Sequence, residues 1–124
     1  MKRNYLIVED EPTMRMVIRK VLLESGLEID KIYEANNGKE GLQALEKFPI
    51  DVMLVDIYMP VMDGMEMLDH VMSDPRFENI PAVVVSTEND ENRIDAIIRK
   101  GIGFVHKPFT KELLKDQIIK MAGE

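Results

Sequence analysis

Short apolar runs alternate with amphipathic helical patterns along this chain, and that alternation restricts the fold more than any other feature. Continuous apolar stretches at residues 5–8, 52–55 and 82–85 have the character of strands buried on both faces, and weaker strand patterns fall at 31–35 and 102–106. Between and after these runs, apolar residues return at helical spacing. Met14, Val17, Ile18, Val21 and Leu22 follow Pro12, which suits a first helical position, and Gly26 stops that helix. Leu42, Leu45 and Phe48 mark a second helix, entered through Asn36-Asn37-Gly38 and ended before Pro49. Met65, Leu68 and Met72 carry a third, closed by Asp74-Pro75. Ile94, Ile97 and Ile98 carry a fourth, stopped by Gly101, and Leu113, Leu114, Ile118 and Met121 a fifth.

Five strands and five helices in strict alternation, joined by short connections, predict a parallel sheet with helices on both faces and right-handed crossovers. The expected α/β architecture is a flavodoxin-like doubly wound five-stranded parallel sheet in the order 2-1-3-4-5, forming one domain over residues 1–124. Such a sheet places its ligand site at the carboxyl ends of the strands, near the switch point between strands 1 and 3.

Composition removes several function classes. Without cysteine there is neither a disulfide framework nor a thiolate metal site. A net charge of -7 disfavours non-specific nucleic-acid binding and attachment to a membrane surface. The apolar run near the N-terminus is too short for a signal peptide or a membrane span, so a cytoplasmic protein without membrane insertion is expected. The ten methionines read as flexible core filling.

The strand ends gather complementary chemistry. Strand 1 delivers Glu9, Asp10 and Glu11, strand 3 delivers Asp56, strand 4 delivers Ser86 and Thr87, and strand 5 delivers Lys107. With strands 1 and 3 adjacent, Asp10 and Asp56 face each other, and carboxylates in one pocket repel unless a proton or a cation neutralises them. An all-oxygen site open to water suits Mg²⁺, whose charge then makes an anionic phosphoryl group welcome. Lys107 adds positive charge and Ser86 a hydroxyl donor, an arrangement suited to phosphoryl transfer, and a carboxylate such as Asp56 can itself be the covalent acceptor. Each residue also has a plainer use. Glu9 to Glu11 can cap helix 1, Ser86 can be a turn or cap residue, Lys107 a solvated loop lysine, and Asp56 an ordinary strand-end carboxylate. Those plainer uses weaken together, because separate strand ends of one edge supply groups that need one another.

The chain resembles the receiver domain of two-component response regulators over its whole length. The matching motifs are Val8-Glu9-Asp10, Asp56 followed by Met59-Pro60 and Met62-Asp63-Gly64, Ser86, and Lys107-Pro108-Phe109. The resemblance implies that Asp56 accepts a phosphoryl group from a histidine kinase. It also implies that Asp10 and Asp56 bind Mg²⁺ through their carboxylates, Tyr58 through its backbone carbonyl, and Glu9 mostly through water. Ser86 and Lys107 would contact the phosphoryl group, and the Lys107–Pro108 bond would be cis. Ser86 and Phe104 would be the moving switch residues, altering a helix 4, strand 5 and helix 5 face that includes Arg93, Ile97, Phe104, His106 and Lys111. A downstream protein would dock there, with the chain a monomer or a phosphorylation-dependent dimer.

The chain departs from the usual receiver pattern at Thr87, where a small residue is common, at Tyr58, two residues after the acceptor, and at Phe104, where Tyr is frequent. Tyr58, Thr87 and Glu88 are expected to tune the phosphoryl lifetime. An end at Glu124 just after helix 5, together with residues 13–19, resembles stand-alone chemotaxis-type regulators; a receiver taken from a longer regulator would look the same. Self-phosphorylation and autodephosphorylation are implied, without turnover of an external substrate. Two other classes share part of the pattern. A haloacid-dehalogenase-like phosphohydrolase would use Asp56 as nucleophile but wants a second Asp where Tyr58 stands, and an FMN-binding carrier would not place Glu9-Asp10-Glu11 at its phosphate loop.

Overall fold

A computed structural model describes residues 2–123, so the first and last residues of the expected 1–124 domain lie outside the described residues. Five strands and five helices alternate through it: β1 (Arg3–Val8), α1 (Pro12–Glu24), β2 (Ile29–Ala35), α2 (Gly38–Lys47), β3 (Val52–Val55), α3 (Gly64–Met72), β4 (Ala82–Ser86), α4 (Glu91–Arg99), β5 (Gly103–His106) and α5 (Lys111–Ala122). The strands form one sheet in the order β2-β1-β3-β4-β5. Every pairing is parallel, with Val8 beside Val55 and Val55 beside Val84 at the carboxyl ends. This is the flavodoxin-like architecture that the alternation predicts.

Successive strand residues point to opposite faces, which divides the core in two. Leu6, Val8, Met53, Val55 and Val84 pack under α2, α3 and α4 with Leu45, Met67, Leu68, Val71 and Ile97. Tyr5, Ile7, Val52, Leu54, Val83, Val85 and Val105 pack under α1 and α5 with Ile18, Leu22, Leu114 and Ile118. Among the described residues no helix is long and apolar enough to cross a membrane.

Several expected boundaries and helix faces are corrected. β1 and β2 each begin two residues earlier than the apolar runs do, where Arg3 pairs with Ile29 through an irregular register. Phe48 lies past the last turn of α2 as its C-cap and stacks on Tyr33 with ring centroids 4.2 Å apart. Helix 3 buries Met67, Leu68 and Val71, leaving Met65 half-buried and Met72 exposed. Ile97, expected on the docking face, is fully buried under the sheet, and Ile98 is the isoleucine at the surface. Neighbouring residues on a helix point about 100° apart, and here α4 turns Ile97 to the sheet and leaves Ile98 52% exposed.

The packing predicts contrasting costs for two truncations of similar size. Leu54→Ala removes a side chain from the buried centre of β3 and lowers the unfolding free energy by roughly 2–5 kcal/mol. Ile98→Ala changes it by less than about 0.5 kcal/mol. Urea unfolding followed by circular dichroism measures both.

Candidate functional site

The carboxyl end of β1 continues into Glu9, whose N–H donates to the Ala35 carbonyl at 3.1 Å. Beside it, the Asp56 N–H donates to the Val8 carbonyl at 3.0 Å, so the β1–β3 ladder runs on until the two acidic segments stand side by side. Carboxylate oxygens of Glu9, Asp10 and Asp56 all lie within 4.8 Å of one another. Glu9 and Asp56 are buried and Asp10 is exposed. This donor set fits a small hard divalent cation, with hard oxygen ligands and a solvent-facing side where water can complete the shell. Glu11, delivered by the same strand end, lies outside the cluster and serves as the N-cap residue of α1 without a side-chain cap bond. Pro12 takes the first turn of α1, as expected.

Lys107 reaches the cluster from the far side of the sheet. Its N–H donates to the Ser86 carbonyl at 2.8 Å, extending the β4–β5 ladder past His106, and the following bond to Pro108 is cis. Its ammonium donates to Glu9 Oε1 at 2.6 Å and lies 3.6 Å from Asp56 Oδ2. Burial nevertheless dominates at Glu9. It pushes the carboxyl from its ordinary 4.5 to about 7, against the Lys107 hydrogen bond and with help from the Asp56 charge.

The β3–α3 loop that follows Asp56 is built on tight backbone contacts. The Met62 N–H donates to the Pro60 carbonyl at 2.7 Å around Val61, which has φ 68°, a γ-turn that holds a β-branched residue in the left-handed region. The Met62 carbonyl in turn accepts the Gly38 N–H at 2.9 Å, fastening this loop to the start of α2. Asp63 caps α3 by accepting the Glu66 N–H at 2.8 Å. At Gly64 a Cβ would come within 2.0 Å of the Asp56 carbonyl oxygen, so a side chain there would displace the backbone of the acidic residue itself.

Ser86 is fully buried, and its hydroxyl accepts the Glu88 N–H at 3.2 Å. Thr87 is exposed. Glu88 is buried and becomes the centre of a network that the sequence did not announce. The Tyr58 hydroxyl donates to Glu88 Oε1 at 2.6 Å, and Arg93 of α4 places Nη1 3.2 Å from the same oxygen and 3.4 Å from the Tyr58 oxygen. Glu88 Oε2 accepts the N–H groups of Asn89 and Asp90, both at 3.1 Å. The Tyr58 hydrogen bond and those backbone donors hold the Glu88 carboxyl below its ordinary range, and the same bond raises the Tyr58 phenol. Asn89 Oδ1 also meets His106 Nε2 at 2.7 Å. Phe104 is half-buried against the α2–α3–α4 core, with its ring centroid 6.5 Å from that of His106.

The structure thus brings Glu9, Asp10, Asp56 and Lys107 into one cluster, with Ser86 on the adjoining strand end. The Tyr58 hydroxyl is bonded to Glu88 on the neighbouring loop. Tyr58 and Glu88 are far apart in sequence, and Glu88 and Arg93 straddle a helix cap, so no helical or strand spacing could have joined the three.

A pH dependence follows from Glu9. The folded chain binds its proton more tightly than the unfolded chain does, so this group favours folding below about pH 4.5 and loses that contribution as pH rises to about 7. In metal-free solution, Glu9→Gln therefore gains stability relative to the parent between pH 5 and pH 7. Paired urea titrations in chelator at the two pH values measure the difference.

Comparison with known proteins gives the same picture. The profile of the response regulator receiver domain family matches residues 5–119. Chemotaxis protein CheY1 of Helicobacter pylori is 32% identical over 120 residues, covering 95% of each chain. Chemotaxis protein CheY4 of Vibrio cholerae superposes with a TM-score of 0.82 at 26% identity, over 98% of this chain and 99% of that one. The receiver domain of a Pseudomonas aeruginosa sensor histidine kinase, whose structure has a magnesium ion coordinated in its active-site cleft, superposes with a TM-score of 0.85. That likeness, at 20% identity over 100% of both chains, speaks for the fold. The family is one of phosphoacceptor signalling proteins rather than turnover enzymes, which sets aside the hydrolase and flavin-carrier alternatives. This chain belongs to the response regulator receiver domain family.

Proposed function

We propose that this chain is a phosphoacceptor switch in which Asp56 receives a phosphoryl group from a histidine kinase in a Mg²⁺-dependent reaction. The observation that carries the reading is Lys107 lying between Glu9 and Asp56 at the edge of a three-carboxylate cluster. Asp10 and Asp56 would hold the cation through carboxylates, Glu9 through water and Tyr58 through its backbone carbonyl. When bound, Mg²⁺ supplies positive charge that lets an anionic phosphoryl group approach these acids. The coordinated magnesium in the Pseudomonas receiver supports that choice of ion.

This chain's own residues do the rest. An Asp56 carboxylate oxygen attacks phosphorus, the bond to the kinase imidazole nitrogen breaks, and the imidazole takes up a proton. Lys107, already 3.6 Å from Asp56, neutralises charge on the transferred group. The Ser86 hydroxyl accepts one bond from Glu88 and keeps its own proton to donate to a phosphoryl oxygen. Ser86 and Phe104 form the switch, and Tyr58, Thr87 and Glu88 govern how long the acyl phosphate lasts. The altered surface is the face of α4, β5 and α5, where Arg93, His106 and Lys111 are exposed, Phe104 is half-buried, and Ile98 stands in place of the buried Ile97. A downstream protein binds there, or a second copy of the chain does.

The likeness to the Helicobacter chemotaxis protein over 95% of both chains supports a chemotaxis-type regulator, and a receiver within a longer regulator is the alternative. Net negative charge argues against nucleic acid as the direct partner.

Incubation with acetyl phosphate and Mg²⁺, read by intact mass, should add one phosphoryl group. The gain should vanish in Asp56→Asn and in chelator; its persistence in Asp56→Asn would refute the assignment. Beryllofluoride binding that requires Mg²⁺ provides a donor-independent check. The paired change Tyr58→Asn with Thr87→Ala should accelerate loss of the phosphoryl group, and an unchanged decay would remove these two from any lifetime role.

A further inference from the structure

We propose that Arg93 is a positioning residue for the phosphorylation pocket: from α4 it fixes the Tyr58–Glu88 pair across the gap between the ends of β3 and β4, limiting how fast a phosphoryl group reaches and leaves Asp56. This rests on the phosphoacceptor reading above.

The placement follows from the sheet. β3 and β4 are neighbours with Val55 beside Val84, so Asp56, just past β3, and Ser86, which ends β4, stand at adjoining strand ends. Tyr58 and Glu88 each lie two residues further along their own chain segment, and the 2.6 Å bond between them ties the two loops together. Asp56 is only 8% exposed, although a donor has to reach its carboxylate.

Glu88 is an uncommon anchor because it is buried, and a buried carboxylate needs its lone pairs and charge compensated. The Asn89 and Asp90 N–H groups occupy Oε2, which leaves Oε1 for Tyr58 and Arg93 together. Arg93 also touches the Tyr58 oxygen, so one guanidinium braces both members of the pair. Its own backbone is fixed, because the Arg93 N–H donates to the α4 N-cap Asp90 at 3.2 Å. Arg93 is therefore set by the first turn of α4 and belongs both to that exposed helix surface and to the Tyr58–Glu88 link between the two loops.

Because the guanidinium is exposed, the effect is modest. Arg93→Ala should speed both phosphoryl gain from acetyl phosphate and phosphoryl loss in Mg²⁺ by about two- to fivefold, the scale of an exposed ion pair. Arg93→Lys, which keeps the charge without the fork, should fall between the two. In a Tyr58→Ala background, Arg93→Ala should add nothing, since Arg93 acts through Tyr58. Wild-type rates in Arg93→Ala, or an equal acceleration in the Tyr58→Ala background, would overturn the proposal. The position of the ring is read separately from tyrosine-ring ¹³C resonances, with Tyr58 assigned by its loss in Tyr58→Ala. That resonance should shift in Arg93→Ala, and an unchanged one overturns the positioning role whatever the phosphorylation result. A wild-type chain that gains no phosphoryl group counts against the phosphoacceptor reading, and the ring resonance then decides the positioning role by itself.

Discussion

The corner where Lys107 meets Glu9 and Asp56 is the constraint on which the rest of this molecule depends. Two buried carboxylates beside an exposed third would repel one another and resist burial, and a single ammonium 2.6 Å from one and 3.6 Å from another is the compensation the fold supplies. That compensation is partial, since the Glu9 carboxyl still holds its proton to about pH 7. A pocket left with unspent negative charge is poor for stability and well suited to binding a cation. The electrostatic cost and the chemical capacity are therefore one property.

Delivering these groups to one corner is the work of the parallel sheet. Each acid, hydroxyl or lysine follows the last residues of a strand, and backbone bonds from Glu9, Asp56 and Lys107 carry the ladders past the strands and aim the side chains. The loops are fixed with comparable rigor. Gly64 lies so close to the Asp56 carbonyl that no side chain can intervene, and the Met62 carbonyl binds the first residue of α2. The acidic residue is thus held by strand pairing on one side and by a helix start on the other.

The three central strands were legible from the sequence because burial on both faces leaves an unbroken apolar signature, as at Val52 to Val55 and Ala82 to Val85, and the strict alternation with helices pointed to their order. The acidic cluster was legible because adjacent strand ends must bring Asp10 and Asp56 together. The helix faces were less so. Ile97 and Ile98 are chemically alike, and only packing against the sheet decides which is buried. The early pairing of Arg3 with Ile29 was hidden because polar residues, Asn4 on one strand and Asp30 and Lys31 on the other, separate it from the apolar runs. The Tyr58, Glu88 and Arg93 network was invisible for a different reason: it depends on how two irregular loops fold over the strand ends, and no periodicity encodes that.

The outer strands carry one further consequence. Among the described residues β2 pairs only with β1, leaving its other flank without a strand partner, and its exposed positions are Asp30, Lys31 and Glu34. Arg15 and Arg19 of α1 fold their guanidinium groups onto Glu34 at 3.2 and 3.3 Å, setting bulky charged side chains beside that flank. On the opposite side β5 is four residues long. Charge on one border and brevity on the other discourage strand-to-strand polymerisation, the hazard of any open sheet. Guarded at both borders, the sheet stays a five-stranded unit rather than a template for further strands.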